Sequence, residues 1–473
     1  MSTKNLLFTF LLFLSSINLF AGTPSGGLIT YKYLGNDKYE ITARWYRDCR
    51  GIPQSSYGLT MRCASTGTTK SLTPTVISYT DITPLCKTAG KFCNPSNTTV
   101  SVSGPAYEEH KLMDTIDFAG SESSFKSCCK IQFGMGLCCR AGGITTGAAG
   151  NDFWVYSTLD LCNASGNSSP EFIYNPHLIG ISNQITKWDF GAVDSKDGDS
   201  LSYSLINPKT SWTGLTTWTG SFNAKEPFSV YYPSGYDKSN GPNPNAPTPI
   251  GIYLDPVSGI LTFVPVNNTE TSVLAVSVKE WRKDSKGKYI EIGEVVLDNS
   301  VIIQSGPNNF IPTIQGSHNI SICEGELFQQ TFATFDKPVK LSSGTINNDT
   351  VTINKWVTDI KGASIKKDST TTKQEALVFS WTPSKSNIRT APYILKIAIS
   401  DNNCPYIGES VEEFKITVYP KVIFNASKKK LSESDYEVSV KITNPLSNSF
   451  FTSSVKTNQP YDTRSFYYKS NHK

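Results

Sequence analysis

The stretch GLITYKYLGNDKYEITARWYRDC, residues 27–49, decides the fold class. Tyr31 and Tyr33 alternate with polar residues, Gly35, Asn36 and Asp37 supply a turn, and Tyr39, Ile41, Ala43 and Trp45 alternate again. A period of two sends successive side chains to opposite faces, so the segment reads as a β-hairpin with one apolar face. Beyond it, strand-like runs such as 98–103 stand between Pro, Gly and Asn clusters, and helical periodicity is absent. The expected class is all-β.

The same pattern continues downstream. AVDSKDGDSLSYSL (192–205), GIYLDPVSGILTFVPVNN (251–268) and VLAVSVKEWRKDSKGKYIEIGEVVLDNSVIIQ (273–304) are alternating runs that follow acidic or Gly-containing turns. Short strands at such spacing predict a β-sandwich. The Pro-rich run 240–249 reads as a surface loop. After SGPNNFIPTI (305–314), the runs NISICEGELFQQTF, ALVFSWTPS and PYILKIAISDNNCPYIGESVEEFKITVYP predict another sandwich. An FVP or WTP motif followed by alternating strands closes both segments, a weak internal repeat. The expected organisation is a Cys-rich β domain over 22–169, immunoglobulin- or cadherin-like sandwiches over 170–304 and 305–420, and a partial module or tail over 421–473.

Residues 1–21 read as a secretory signal peptide. Lys4 gives a positive start, residues 6–20 are apolar apart from Thr9, Ser15, Ser16 and Asn18, and small Ala21 and Gly22 follow. Such a run is too short for a membrane span of roughly 20 apolar residues. No second membrane segment is expected, and the protein is placed outside the cell. The formal charge of +4 over 473 residues leaves no basic block beyond Lys428, Lys429 and Lys430, which argues against nucleic acid. Four histidines (His110, His177, His318 and His472) show no metal-binding spacing.

Eleven cysteines then read as disulfides rather than zinc ligands, because an oxidising compartment favours the bridge and adjacent cysteines lack the two-residue spacer of a zinc knuckle. On a strand the members of each doublet, Cys128/Cys129 and Cys138/Cys139, point to opposite faces, so each is expected to serve two different partners. Cys323 and Cys404 stand apart and are expected to bridge one another. The other nine, all at or before Cys162, are odd in number, so one is unpaired or joins another chain.

GGLITYKYLGNDKYEITARWYRDCRGIP, CCRAGGIT, NSSPEF, DGDSLSYSL, LDPVSGILTFVP and DNNCPYIG, taken in order, resemble the N-terminal region of large Bacteroidetes surface proteins of the gliding-motility-associated or PKD-domain type. The resemblance covers most of 26–420. It implies secreted, multi-domain, immunoglobulin-like surface proteins with adhesive roles. Relatives are commonly longer, with further repeats and a sorting domain for type IX secretion that are not recognisable here. They also place a Cys just before Asn183-Gln184, where this chain has Ile181-Ser182.

Two candidate sites follow. Asp194, Asp197 and Asp199 place oxygen ligands on a turn that Gly198 can bend, as calcium needs, although no Glu completes an EF-hand loop. The competing reading is a solvated turn that starts a strand. In TSWTGLTTWTG (210–220), Trp212 and Trp218 suit stacking on a glycan or anchoring a protein partner. Alternatively they fold back over the sandwich. Glu108, Glu109 and His110 sit together in YEEHK, but neighbours on a strand diverge and are expected not to share a proton. The expected function is a secreted surface adhesion or structural protein, not an enzyme. The rival is a secreted polysaccharide-binding or polysaccharide-degrading protein.

Overall fold

The computed structural model describes residues 24–457 except 55, 90–91, 102–103, 173–175, 177–178, 195, 307–308, 341–345, 348, 369, 371–372, 422, 431–435 and 444–449; at 339–340, 346–347 and 423–457 only the backbone is described. The expected signal segment lies outside the described residues. Among these residues the chain is all-β, with strands joined by loops and short 3₁₀ turns. Among the described residues no helix is long and apolar enough to cross a membrane. The architecture is tandem β-sandwiches.

The hairpin forms as read, with Pro24–Gly35 antiparallel to Lys38–Asp48 and Asn36 and Asp37 at φ 52° and 57° in the turn. Its inward residues Ile29, Tyr31, Tyr39, Ile41, Ala43 and Trp45 meet Ile131, Phe133, Phe153 and Val155 from the facing strands, all of them buried. Trp45 packs edge-on against Phe153 at 5.1 Å. Each such side chain contributes roughly 1.5–3 kcal/mol by leaving water.

The expected boundary at 169/170 does not separate two sheets. The strand Tyr289–Gln304 pairs along one side with Thr271–Lys283. On its other side it pairs with Phe153–Asp160 at Val295↔Ser157 and with the hairpin at Gly26↔Asn299. The seam requires glycine, because a Cβ on Gly26, which sits at φ +153°, would stand 2.5 Å from the Asp298 carbonyl. Leu28 and Tyr46, on the hairpin's outer face, belong to the second core with Trp188, Phe190, Phe263 and Leu297. Both faces of the hairpin are therefore buried, one in each core, which makes residues 24–304 a single body.

The third sandwich has sheets of its own. Thr313–Ile314, Phe328–Phe335, Ala376–Trp381 and Ser364–Lys367 form one, and Asn319–Cys323, Glu409–Tyr419, Tyr393–Ser400 and Thr352–Thr358 the other. They close on Phe332, Phe379, Leu395, Ile397 and Phe414. Residues beyond 422 add a three-stranded antiparallel sheet.

The weak repeat in the sequence becomes a repeat of topology. In the second segment Ile179–Ile181 runs parallel to the last strand, Thr186–Asp189 pairs with Ile260–Phe263, and Ser200–Ile206 pairs with Thr271–Lys283. In the third, Asn319–Cys323 runs parallel to the last strand, Phe328–Phe335 pairs with Ala376–Trp381, and Thr352–Thr358 pairs with Tyr393–Ser400.

Candidate functional site

Asp194, Asp197 and Asp199 do converge, with one oxygen from each within 4.8 Å of the others. The turn is held by Asp194, whose two oxygens accept the backbone N–H groups of Asp197 and Asp199 at 2.9 Å. Gly198 makes the bend at φ 75°, a region that costs glycine little. Asp197 accepts the Ser168 N–H at 2.9 Å. Arg282 grips both oxygens of Asp199, at 2.7 and 2.5 Å, and also donates to Asn167 Oδ1 at 2.8 Å. A bidentate guanidinium–carboxylate pair is among the stronger hydrogen-bonded ion pairs. The donors suit a hard cation by type, yet the chain supplies its own positive charge here, and that charge opposes a second one. Nor is the turn solvated at its root. Asp194 is 7% exposed, and burial, with Asp199 and Asp197 adding repulsion against the two backbone bonds, holds its carboxyl above the usual range.

Behind the turn lies Glu280, 0% exposed. Burial and the neighbouring Asp194 and Asp199 raise its pKa from 4.5 to about 8, against hydrogen bonds from Asn167 and Tyr31 that lower it. Glu280 therefore carries a proton at neutral pH. Asn167 Nδ2 donates to Oε1 at 3.2 Å, and Oε2 lies 3.1 Å from the Tyr31 hydroxyl, itself 3.0 Å from the Thr158 carbonyl. A protonated Oε2 donates to Tyr31 while Tyr31 donates to Thr158, so the buried chain is satisfied.

The tryptophans take packing roles, as in the alternative reading in which they fold back over the body, while both remain partly exposed. Trp212 meets Trp154 edge-on at 4.8 Å and lies under the Arg62 guanidinium at 5.3 Å. Trp218 donates its indole N–H to Asn207 Oδ1 at 2.9 Å and packs on Ile144, Ala148 and Val273. Both anchor their loop to the body, because an indole buries apolar area while its N–H finds a partner.

The cysteine expectations are corrected in part. Cys128 and Cys129 serve different partners, Cys63 and Cys162, and Cys49 pairs with Cys93. Cys138 and Cys139 pair with each other instead. Cys404 pairs with Cys86, and Cys323 is a free thiol, so the expected Cys323–Cys404 bridge is absent. The physical reason is docking. The 401–408 loop of the third sandwich lies against the first segment, with Cys86 N–H donating to the Pro405 carbonyl at 3.0 Å and a bridge between Leu85 and Tyr406.

Buried charges complete the seams. Lys396, 1% exposed, reaches Asp189 at 3.3 Å and Glu413 at 3.2 Å between the second and third sandwiches. Burial pulls its ammonium down, but Asp189, Tyr203 and Glu413 outweigh that and hold it above its usual range. Arg140, from the CCRAGG motif, clamps Asp298 with bonds of 2.8 and 2.6 Å, both side chains fully buried. Glu108 and His110 do interact, at 2.8 Å, which corrects the strand argument: residues two apart share a face. Arg47 donates to the same Glu108 oxygen at 2.9 Å, and Tyr57 stands 2.6 Å from His110 Nδ1. With Arg47, Glu108 and His110 all at 0% exposure, this network cements a core.

A second acidic cluster, Asp336, Asp349 and Asp401, was missed because its members are far apart in sequence and form no motif. One oxygen from each lies within 4.8 Å of the others, and all three residues are buried. Where the three segments meet, a groove of ≈ 520 Å³ is lined by Arg44, Glu109, Lys111, Glu171, Asp194 and Lys355, among others.

No family model and no curated protein matches the chain. Among solved structures, human protocadherin-24 EC1-2 is similar at 17% identity over 52% of this chain and 94% of that one, with a TM-score of 0.17. The Dpr2 Ig1-Ig2 complex with DIP-Theta matches at 7% identity over 52% and 95%, TM-score 0.19. The sialic acid binding region of a Streptococcus sanguinis SK1 adhesin matches at 10% identity over 92% and 96%, TM-score 0.19. At such scores these likenesses carry no argument, and the sandwich architecture rests on the chain's own sheets and cores.

Proposed function

We propose that the chain is a secreted surface protein of adhesive or structural role, which presents tandem β-sandwiches to an extracellular protein or glycan, and that it is not an enzyme. The observation that carries this reading is the covalent clamp between the first segment and the third sandwich, Cys86 to Cys404 across 318 residues. A bridge of that kind persists in an oxidising compartment, and it holds distant sandwiches in one arrangement. The resemblance to gliding-motility-associated surface proteins supports the same reading. The three-segment groove, with Lys111 and Lys355 beside Glu109 and Glu171, offers a polar recess for a ligand.

Glycan and extracellular-protein arrays probed with the oxidised chain test the proposal. Binding without product release, weakened by replacing Lys111 and Lys355 together with Ala, is the expected result. Release of new sugar ends from a polysaccharide would establish the rival, degrading function.

A further inference from the structure

We propose that Asp336, Asp349 and Asp401 form a calcium site at the end of the third sandwich where the linker from the second sandwich arrives. Asp336 follows the strand Phe328–Phe335, Asp349 precedes Thr352–Thr358, and Asp401 follows Tyr393–Ser400. The topology thus brings three loops to one end of the sandwich. Two oxygens bound to one calcium at roughly 2.3–2.6 Å are at most about 5 Å apart, and one oxygen from each acid here satisfies that limit at 4.8 Å.

The observation that points to a ligand is Asp336 itself. It is 7% exposed, both its carboxylate oxygens are buried, and neither accepts a hydrogen bond of good geometry; the backbone N–H of Lys337 offers the carboxylate only a weak one. A buried carboxylate without good partners is costly to fold, so the fold holds this group against its own preference. A second orphan stands beside it. Asn309, in the linker, donates through Nδ2 to Asp401 Oδ2 at 2.7 Å, while its own Oδ1 is buried and unpartnered. The remaining bonds to Asp401 come from the neutral N–H groups of Asn403 and Gly408, at 3.0 and 2.7 Å. Lys337, next along the chain, has its ammonium over the Phe310 ring at 4.7 Å. Burial first, then repulsion from Asp401 and Asp349, pushes Asp336 up to about 7 against a backbone bond from Lys337. Burial raises Asp401 to about 6 against its bonds from Gly408, Asn309 and Asn403, with a smaller push from Asp349. An all-carboxylate set selects a hard cation, and calcium tolerates irregular loop ligands better than magnesium, which demands an octahedron.

The repeat gives an independent control. In the second sandwich Ser200, the first residue of its strand, pairs with Trp281; in the third, Thr352 pairs with Ser400. Arg282 and Asp401, the next residues along, therefore hold equivalent positions. Arg282 neutralises the acids of the second sandwich, and Asp401 adds another acid to those of the third. A bound cation would offset the acid that stands at this position in place of an arginine. It also stiffens the joint, because Asp401 begins the loop whose Cys404 and Tyr406 reach Cys86 and Gln304.

The test is thermal unfolding of the full oxidised chain, stripped with chelator and titrated with calcium, with magnesium as the competitor. The expected result is a melting temperature that rises with calcium and responds less to magnesium. Asp336→Asn keeps the shape and removes one repelling charge. It is expected to melt higher than the parent without calcium and to lose the calcium response, and Asp349→Asn is expected to lose the response as well. Asp199→Asn, at the arginine-neutralised turn, is expected to keep the response. No calcium response in the parent, or a response that survives Asp336→Asn, or one abolished by Asp199→Asn alone, overturns the proposal.

Discussion

The second and third sandwiches share one topology but handle buried charge in opposite ways. In the second, acids are matched by guanidinium groups from other elements, Asp199 by Arg282 and Asp298 by Arg140. In the third, the equivalent end of the sandwich gathers Asp336, Asp349 and Asp401, and the buried carboxylate of Asp336 accepts no hydrogen bond of good geometry. The second is also fused to the first segment by strand-to-strand pairing, whereas the third docks through one isolated backbone bridge, one disulfide and Lys396. The difference teaches that the same position in one topology carries an arginine in one copy and an aspartate in the other. The copy with the arginine shares a sheet with the first segment, and the copy with the aspartate lies where the 401–408 loop docks.

The comparison breaks most severely at the fused seam. Asp298→Ala leaves Arg140 buried without its partner, and breaking a buried pair in this way costs about 3–5 kcal/mol. Differential scanning calorimetry should show the 24–304 transition fall while the third sandwich is spared. A fall in both together would mean that the two bodies unfold as one.

The docked seam tests the converse. Cys86→Ser with Cys404→Ser releases a long loop, with an expected loss on the order of 2–4 kcal/mol. Limited proteolysis should then cut near residues 305–312 and free the third sandwich. Resistance there equal to the parent's would show that the Lys396 cluster alone holds the joint.

Glu280 sharpens the comparison on the second sandwich's own acidic turn. Its pKa is about 4.5 ordinarily and about 8 when folded. At low pH both states carry the proton. As pH rises between the two values only the unfolded chain ionises, so stability falls by about 1.4 kcal/mol per pH unit and levels off once the folded group ionises as well. Glu280→Gln retains the bonds to Asn167 and Tyr31 with no proton to lose. Melting curves across this range should therefore be flatter for the variant than for the parent. Parallel curves would place the buried charge elsewhere.

Much of this fold was legible along the chain. Alternation gave the hairpin at 27–49, because Ile41 and Ala43 each reach the core from one face of a strand, and the FVP and WTP echoes marked a real repeat. The acids at 194–199 were legible because a turn's ligands are close in sequence. The second cluster was not, since Asp336, Asp349 and Asp401 meet only when three loops are brought to one end of a sandwich. The partner of Cys404 was likewise hidden, because proximity in a sequence says nothing of which loop a docking surface presents. Glu108 and His110 mark a smaller failure: the period of two was read for neighbours and not for residues two apart.

The sequence by itself determined the all-β class, the two repeated sandwiches and the oxidised state implied by crowded cysteines, since these follow from local periodicity and composition. It misled at the run 98–103, whose described residues 98–101 form a loop and no strand. Only the tertiary structure decided that Tyr289–Gln304 belongs to two sandwiches at once, that Cys86 reaches Cys404, and that Arg282 answers the acids of one copy while Asp401 joins those of the other. Each of these depends on which distant groups are pressed together when water leaves. That outcome is set by packing and charge summed over the whole molecule, which no single stretch of residues records.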